Sequence, residues 1–193
     1  MGIEYEQKFR GTPQIQQALR QAFSGKEQEF AMQTTYYDTP TGAFSARRYT
    51  LRRRLENGTS VCTLKTPGDG FGRGEWDVEC DSIQEAFPIL CKLSNLEDVA
   101  ALTREGFVPI CGAAFTRIAK TLSLPECTLE LALDSGVLTG GSQRKPLCEI
   151  ELELKSGSRE AMDAFARQLA SQYQLTPEPR SKFQRALALH KEG

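Results

Sequence analysis

The sequence predicts a mainly β, α+β domain: about eight antiparallel strands closed into a barrel, with helices packed on the outside. Three observations carry this. Strand-like segments recur along the chain, and nearly all are charged on one face and apolar on the other. The charges are sorted by sign between segments, where a soluble outer surface would intersperse them. Several stretches switch to helical spacing with a single apolar stripe, the kind of helix that lies on a sheet. A barrel with its charged faces inward sets an acidic patch opposite a basic one and leaves the apolar exterior to the helices.

The stretch Cys148 to Lys155 shows the pattern most clearly. Glu149, Glu151 and Glu153 alternate with Ile150, Leu152 and Leu154. Carboxylates two apart on a strand lie about 7 Å from each other, so three in a row need water or a cation to offset their repulsion. Taken alone, such alternation is more often the solvated face of an antiparallel sheet.

From the N-terminus, Ile3 to Arg10 places Glu4, Glu6 and Lys8 on one face and Ile3, Tyr5 and Phe9 on the other. Thr12-Pro13 opens a helix whose stripe is Ile15, Ala18, Leu19, Ala22 and Phe23, with Gly25 as its stop. Phe30 to Tyr37 reads as a strand ended by the turn cluster Asp38 to Gly42. Arg47–Glu56 and Thr59–Thr66 flank Asn57-Gly58, a strong hairpin signal. That turn sets Glu56 opposite Thr59, Arg54 opposite Val61, Arg52 opposite Thr63 and Thr50 opposite Lys65. Arg52, Arg54 and Lys65 then share one face. Arg73 to Cys80 alternates again, after a run of glycines that reads as an inter-strand loop because no capped helix follows it.

Ser82 to Glu85 is a capping box opening a helix that Pro88 is expected to kink or shorten. Asn95 is expected to cap another, with Leu96, Val99, Ala100 and Leu102 in its stripe. Strands are predicted over Gly112–Leu124, carrying Arg117, and Cys127–Leu133, with Glu130 and Asp134 on one side. Gly140-Gly141 marks the turn into the glutamate strand. Ser158 begins an amphipathic helix, and Ser181 caps a last one that contains Lys182 and Arg185.

No linker or low-complexity tract divides the 193 residues, so residues 1–193 are expected to form one domain. With 24 basic and 25 acidic residues the chain carries no overall field toward nucleic acid or an anionic membrane. No apolar stretch is long enough to cross a bilayer, and the expected location is cytoplasmic. The six cysteines form no C-x-x-C pair, so buried free thiols are expected. The single histidine, His190, lies near the end of the chain, which excludes Ser-His-Asp and Cys-His catalysis. A lumen with opposed acidic and basic walls calls for hard divalent cations on the carboxylates and a polyanion on the arginines and lysines; phosphate chains bridged by Mg2+ or Mn2+ meet both demands.

Glu4-Tyr5-Glu6-Gln7-Lys8 resembles the Glu-x-Glu-x-Lys signature of the CYTH group, the triphosphate tunnel metalloenzymes. Tyr36-Tyr37-Asp38-Thr39-Pro40, Leu51-Arg52-Arg53-Arg54, Thr63-Leu64-Lys65, Arg73-x-Glu75, Leu133-Asp134-x-Gly136, Glu149 to Glu153 and Ser181-Lys182 follow in that group's order, over nearly the whole chain. The likeness is greatest to the bacterial inorganic triphosphatase branch, whose members often carry a helical CHAD domain that this chain is expected to lack. The resemblance implies an eight-stranded tunnel that hydrolyses inorganic tripolyphosphate to pyrophosphate and phosphate. It implies Glu4, Glu6, Glu149, Glu151 and Glu153 as holders of one or two Mg2+ or Mn2+ ions, with Asp134 in support. Lys8, Arg52, Arg54, Lys65, Arg73 and Arg117 would clamp the phosphate chain, and Lys182 would close one end. The catalytic set is then Glu4, Glu6, Lys8, Glu149 and Glu151. Phe115 stands where some members carry a second basic residue. Thiamine triphosphatases and class IV adenylate cyclases share these motifs, and a non-catalytic polyphosphate or nucleotide-binding module would have the same lining. The expected partner is a small-molecule triphosphate, with no nucleic acid and no membrane, and a homodimer is left open.

Overall fold

The structure is a computed structural model that describes residues 5–67, 74–95, 99, 101 and 106–192. Nine strands form one antiparallel sheet: β1 (Glu6–Arg10), β2 (Glu27–Asp38), β3 (Thr50–Glu56), β4 (Thr59–Thr66), β5 (Gly74–Glu79), β6 (Val108–Ser123), β7 (Cys127–Gly140), β8 (Gln143–Gly157) and β9 (Thr176–Pro177). Their order is β5-β4-β3-β2-β6-β7-β8-β1-β9. The helices whose bounds fall within the described residues are α1 (Pro13–Ala22), the short α2 (Ala43–Ala46), α3 (Ile83–Ser94), α4 (Arg159–Tyr173) and α5 (Lys182–Glu192). No helix among the described residues is long and apolar enough to cross a membrane.

Local chemistry explains most boundaries. The β3–β4 hairpin turns on Asn57 at φ 51° and Gly58 at φ 92°, the two positive values a type I′ turn requires, and the pairing is the one read from the sequence. Thr12 caps α1 by accepting from the Ile15 N–H at 3.2 Å, with Pro13 in the first turn. Lys120 closes the other end of α1, donating to the Arg20 and Phe23 carbonyls at 2.7 Å each, so the helix stops before Gly25 is reached. Ser181 and Gln184 cap α5 reciprocally: Ser181 N donates to the Gln184 side chain at 2.8 Å and Gln184 N to Ser181 Oγ at 3.1 Å.

Three expectations are corrected. First, the sheet is not a closed eight-stranded barrel; it is open, with nine strands and with β5 and β9 as edges. The edges explain this: β9 is two residues long and one of them, Pro177, has no N–H to donate, while the six-residue β5 leads straight into α3. Second, not every helix covers the apolar exterior. Helices α1 and α4 pack with Phe9, Leu129, Leu131, Ile150 and Leu152, and α3 packs on Leu51, Cys62 and Leu64. Helix α5 instead crosses the charged side of the sheet, where Phe183 and Ala186 join Tyr36, Phe115, Leu138 and Leu147. Gly140 makes this close approach feasible, since a Cβ there would stand 2.3 Å from the Ala186 carbonyl oxygen.

Third, α3 runs through Pro88, which is exposed beside an exposed Gln84, so the carbonyl that proline leaves without a donor faces water while Phe87 and Leu90 hold the helix to the core. Asn95 ends α3 in the left-handed conformation, φ 53°; of the helix expected after it, Val99 and Ala101 are described, and both are helical. Leu96, Ala100 and Leu102 of the stripe expected after it lie outside the described residues, as do Glu4, Arg73 and the glycine run from Gly68 to Gly72. All six cysteines are free thiols.

Candidate functional site

Side chains from six strands and one helix meet around a cavity of about 100 Å³. Glu6 and Lys8 come from β1, Arg52 and Arg54 from β3, Lys65 from β4, Arg117 from β6, Glu151 from β8, and Lys182 from the first turn of α5; Tyr36, Thr50, Ser181 and Phe183 complete the lining. Alternation on each strand and the pairing between strands put these groups on one side. Lys8 pairs with Glu151, Glu6 with Glu153, Asp134 with Glu149 and Arg117 with Asp134 across neighbouring strands. Glu4 and Arg73 aside, the predicted residues are therefore gathered. Glu6, Lys8, Arg52, Arg54, Lys65, Arg117, Glu151 and Lys182 line the cavity, Asp134 and Glu149 lie buried beside it, and Glu153 stands beside Glu6 with a bridge of 2.8 Å to Lys155.

The acidic wall is held by cations of the chain itself. Arg117 grips Asp134 with two bonds, of 2.7 and 2.8 Å, and also reaches Glu151. Lys182 Nζ lies 2.7 Å from Asp134, 2.7 Å from Glu151, and against Glu149. Arg185, one turn further along α5, takes the second Glu149 oxygen. Asp134 and Glu149 have no solvent exposure, and full pairing is the condition on which charges persist at such depth. Burial alone would push the Lys182 ammonium down, yet Glu151, Asp134 and Glu149 outweigh it and hold the group above its ordinary value. Burial pushes the Glu149 carboxyl up to about 7, against the pull of Lys182. Burial acts on Glu151 the same way, but Lys182 and Arg117 prevail and keep it well below the usual carboxylate range.

The basic wall is looser. Lys65 reaches Glu75 at 2.7 Å, whereas Arg52 is 3.5 Å from Glu75 and Arg54 is 3.5 Å from Glu56 at the rim. The Arg52 Nε is buried with no hydrogen-bond partner. Burial, with Arg52 and Arg117 close by, pushes the Arg54 guanidinium down from its ordinary value. An anion placed between these arginines would relieve that repulsion and supply the absent acceptor.

Two contributors, Arg185 and Gln16, were not legible as site residues in the sequence; a third, Phe115, was marked there only as standing where similar sequences carry a second basic residue. Arg185 sits three residues after Lys182, but only the helix could show that both face the glutamates. Gln16 on α1 passes through the sheet's apolar side to donate to the backbone carbonyls of Asp134 and Glu149 at 3.0 Å each, and it accepts from Ser135 Oγ at 2.6 Å. It was one polar residue in an amphipathic helix, with no signal of its own. Phe115 places its ring 5.3 Å from the Lys182 ammonium and 5.9 Å from the Arg117 guanidinium, a floor beneath two cations.

Asp134, Glu149 and Glu151 offer carboxylate oxygens within 4.8 Å of one another, a hard donor set suited to a divalent ion. Comparison with known proteins agrees with this architecture. Among curated proteins, the inorganic triphosphatase of Haemophilus influenzae is 29% identical over 174 residues, covering 86% of this chain and 49% of that protein. The chain thus spans about half the length of the curated relative it matches. Among solved structures, HpAC1 from Hippeastrum, named for adenylyl cyclase and described as revealing a dominant triphosphatase activity, superposes with a TM-score of 0.68 at 20% identity, covering 100% of this chain and 96% of that one. A Bacillus halodurans protein named for adenylate cyclase gives a TM-score of 0.62 at 16% identity, covering 95% and 96%. These two likenesses are of fold. A family model described as the CYTH domain matches residues 2–187, and with the motif order and the opposed charged walls already in place, the chain belongs to the CYTH domain family.

Proposed function

We propose that the chain hydrolyses a linear triphosphate with the help of a divalent cation, and that inorganic tripolyphosphate, cleaved to pyrophosphate and phosphate, is its substrate. The observation that carries this reading is a single cavity lined on one side by Glu6 and Glu151 and on the other by Arg52, Arg54 and Lys65. Pockets for drug-sized ligands begin at about 300 Å³; the cavity here is about 100 Å³ and its lining is mostly charged, which favours a bare phosphate chain over a whole nucleotide.

The carboxylates Glu6, Glu151 and Glu153, together with Glu4 outside the described residues, are the groups that would hold Mg2+ or Mn2+, and Asp134 and Glu149 lie buried beside them. Such an ion neutralises phosphate oxygens and lowers the pKa of a bound water. Arg52, Arg54 and Lys65 clamp the phosphate chain by charge-assisted hydrogen bonds, and Lys8 and Arg117 reach it from the acidic side. Lys182 presents its ammonium at the end of the cavity near Glu151, where negative charge grows on the departing phosphate. The fold is shared with proteins named for adenylate cyclase, so the decisive experiment runs tripolyphosphate, thiamine triphosphate and ATP side by side with Mg2+ and with Mn2+. Fastest release of phosphate from tripolyphosphate is expected. A preference for ATP with a cyclic product, or tight binding of all three without turnover, would overturn the proposal.

A further inference from the structure

The acidic row contains three glutamates, and spacing alone gives each the same title to a metal ion. Their surroundings differ. Glu151 lines the cavity, and so do the cations on its two oxygens, Lys182 on Oε1 and Arg117 on Oε2, so an incoming charge can reach and replace them. Glu149 has no exposure, and each of its carboxylate oxygens is taken by a separate cation of α5: Oε1 by Lys182 and Oε2 by Arg185. Arg185 does not line the cavity either, and its Nε is buried without an acceptor, so its contact with Glu149 is what offsets the cost of burying the guanidinium. Lys182 and Arg185 lie three apart on one helix, which fastens α5 to Glu149 at two points. Gly140 lets the helix come close enough for both contacts.

We propose that Arg185 is a positioning residue: it holds Glu149 out of the metal's coordination set and seats α5 so that the Lys182 ammonium stands over Glu151 and Asp134. The charges are consistent with this. Three carboxylates, Asp134, Glu149 and Glu151, face three cations, Arg117, Lys182 and Arg185. Setting aside Glu149 with Arg185 as a closed pair leaves the cavity-facing Glu151 for exchange with an incoming cation. Glu149 acts through the helix it anchors, and Arg185 acts through Glu149.

The inference rests on the reading of the site as a metal-dependent triphosphatase, and its test separates the two. Mn2+ is titrated by calorimetry into the wild-type chain and its variants in the presence of imidotriphosphate, an analogue with nitrogen bridges. Hydrogen exchange of residues 182–191 is followed in parallel. Glu149→Gln should keep Mn2+ affinity within about 2-fold, while Glu151→Gln should lose about 10-fold or more, as loss of a direct ligand does and loss of an anchor does not. Arg185→Met should speed exchange in α5 and lower kcat for tripolyphosphate by about 10- to 100-fold with little change in KM, and Arg185→Lys should restore most of it. Where Arg185→Met fails to fold, Gly140→Ala lifts α5 without altering a charge and should give the same kcat loss. Loss of Mn2+ affinity in Glu149→Gln as steep as in Glu151→Gln would overturn the inference, as would an effect of Arg185→Met confined to KM. If the wild-type chain turns over no triphosphate, the functional reading fails, and the Mn2+ titrations and α5 exchange still decide what Arg185 does.

Discussion

The two walls of the cavity carry opposite charge, and they also differ in how that charge is used. On the acidic side, Asp134, Glu149 and Glu151 are in contact with Arg117, Lys182 and Arg185, and the Arg117 and Lys182 contacts to Asp134 are 2.7 to 2.8 Å. On the basic side, the Arg52 and Arg54 contacts to carboxylates stretch to 3.5 Å; each wall has one buried arginine nitrogen without an acceptor, Arg52 Nε on this one and Arg185 Nε on the other. Charges sunk in a core must be compensated within it, so the acidic wall is part of what holds α5 on the sheet. The basic wall is nearer the cavity than the core, and its geometry suits an anion better than it suits its own neighbours. Substitutions on the first wall should therefore damage stability and activity together, and those on the second should damage activity alone.

Lys182→Met tests the first half and should have the largest effect. It strips the ammonium from three carboxylates, of which Asp134 and Glu149 are wholly buried. Leaving buried charges uncompensated costs about 3–5 kcal/mol, which urea unfolding will read directly. Turnover should fall by about 100-fold or more if the same ammonium meets developing charge on the substrate. Arg54→Met tests the second half. It should lower kcat/KM for tripolyphosphate by about 100-fold, the worth of roughly 2–3 kcal/mol of charge-assisted bonding. Unfolding free energy should move by less than about 1 kcal/mol, because repulsion with Arg52 and Arg117 is relieved as the guanidinium is removed. Equal losses of stability in the two variants would erase the distinction between the walls.

A third substitution sharpens the comparison from behind the sheet. Gln16→Leu removes the amide that donates to the buried carbonyls of Asp134 and Glu149 and accepts from the Ser135 hydroxyl. A destabilisation of about 2 kcal/mol is expected from that loss. If the acidic wall is as tightly built as its contacts indicate, Lys182→Met and Gln16→Leu will not be additive, since both act on the same two strands.

Much of the site could be read from the sequence because a strand's period is two. Once Asn57-Gly58 fixed the hairpin, Arg52, Arg54 and Lys65 had to share a face, and the observed pairing of Arg52 with Thr63 and Thr50 with Lys65 follows. The glutamate strand gave its face by the same rule. Alternation does not reveal whether the end strands meet, which depends on strand length and on a proline at β9, so the open sheet was not legible. Nor does it reveal which side a helix takes. The last helix has Phe183 and Ala186 beside Lys182 and Arg185, and that mixed face suits the charged side of the sheet, where apolar Leu138 and Leu147 adjoin the glutamates. Gln16 acts through two backbone carbonyls, groups that every residue has, so no residue pattern could have pointed to it.

The smallest expected effect is at the edge of the sheet, behind the acidic wall, where the Glu178 N–H donates to the Lys8 carbonyl at 2.9 Å. Glu178 follows β9, and its carboxylate accepts from Arg10 Nε at 3.1 Å and from the Arg180 backbone and side chain at 3.2 Å each. Burial pushes the Glu178 carboxyl up, but the Arg180 contacts outweigh it and bring it from the ordinary 4.5 down to about 2. The folded chain therefore holds this proton less readily than the unfolded one. The stabilisation is fully present above the unfolded value near 4.5, fades as pH falls through the window between the two, and is gone below about 2. Arg10 and Arg180 are more than half exposed, so screening by solvent limits the contribution to roughly 1–2 kcal/mol, well below that of Lys182. Urea unfolding of the wild-type chain and Glu178→Gln at about pH 6 and about pH 3 isolates it. The gap in stability between the two proteins should narrow on acidification, because only the wild type has a carboxylate there to protonate. A gap that stays constant would show that Glu178 contributes through packing and that its ion pairs with the arginines count for nothing.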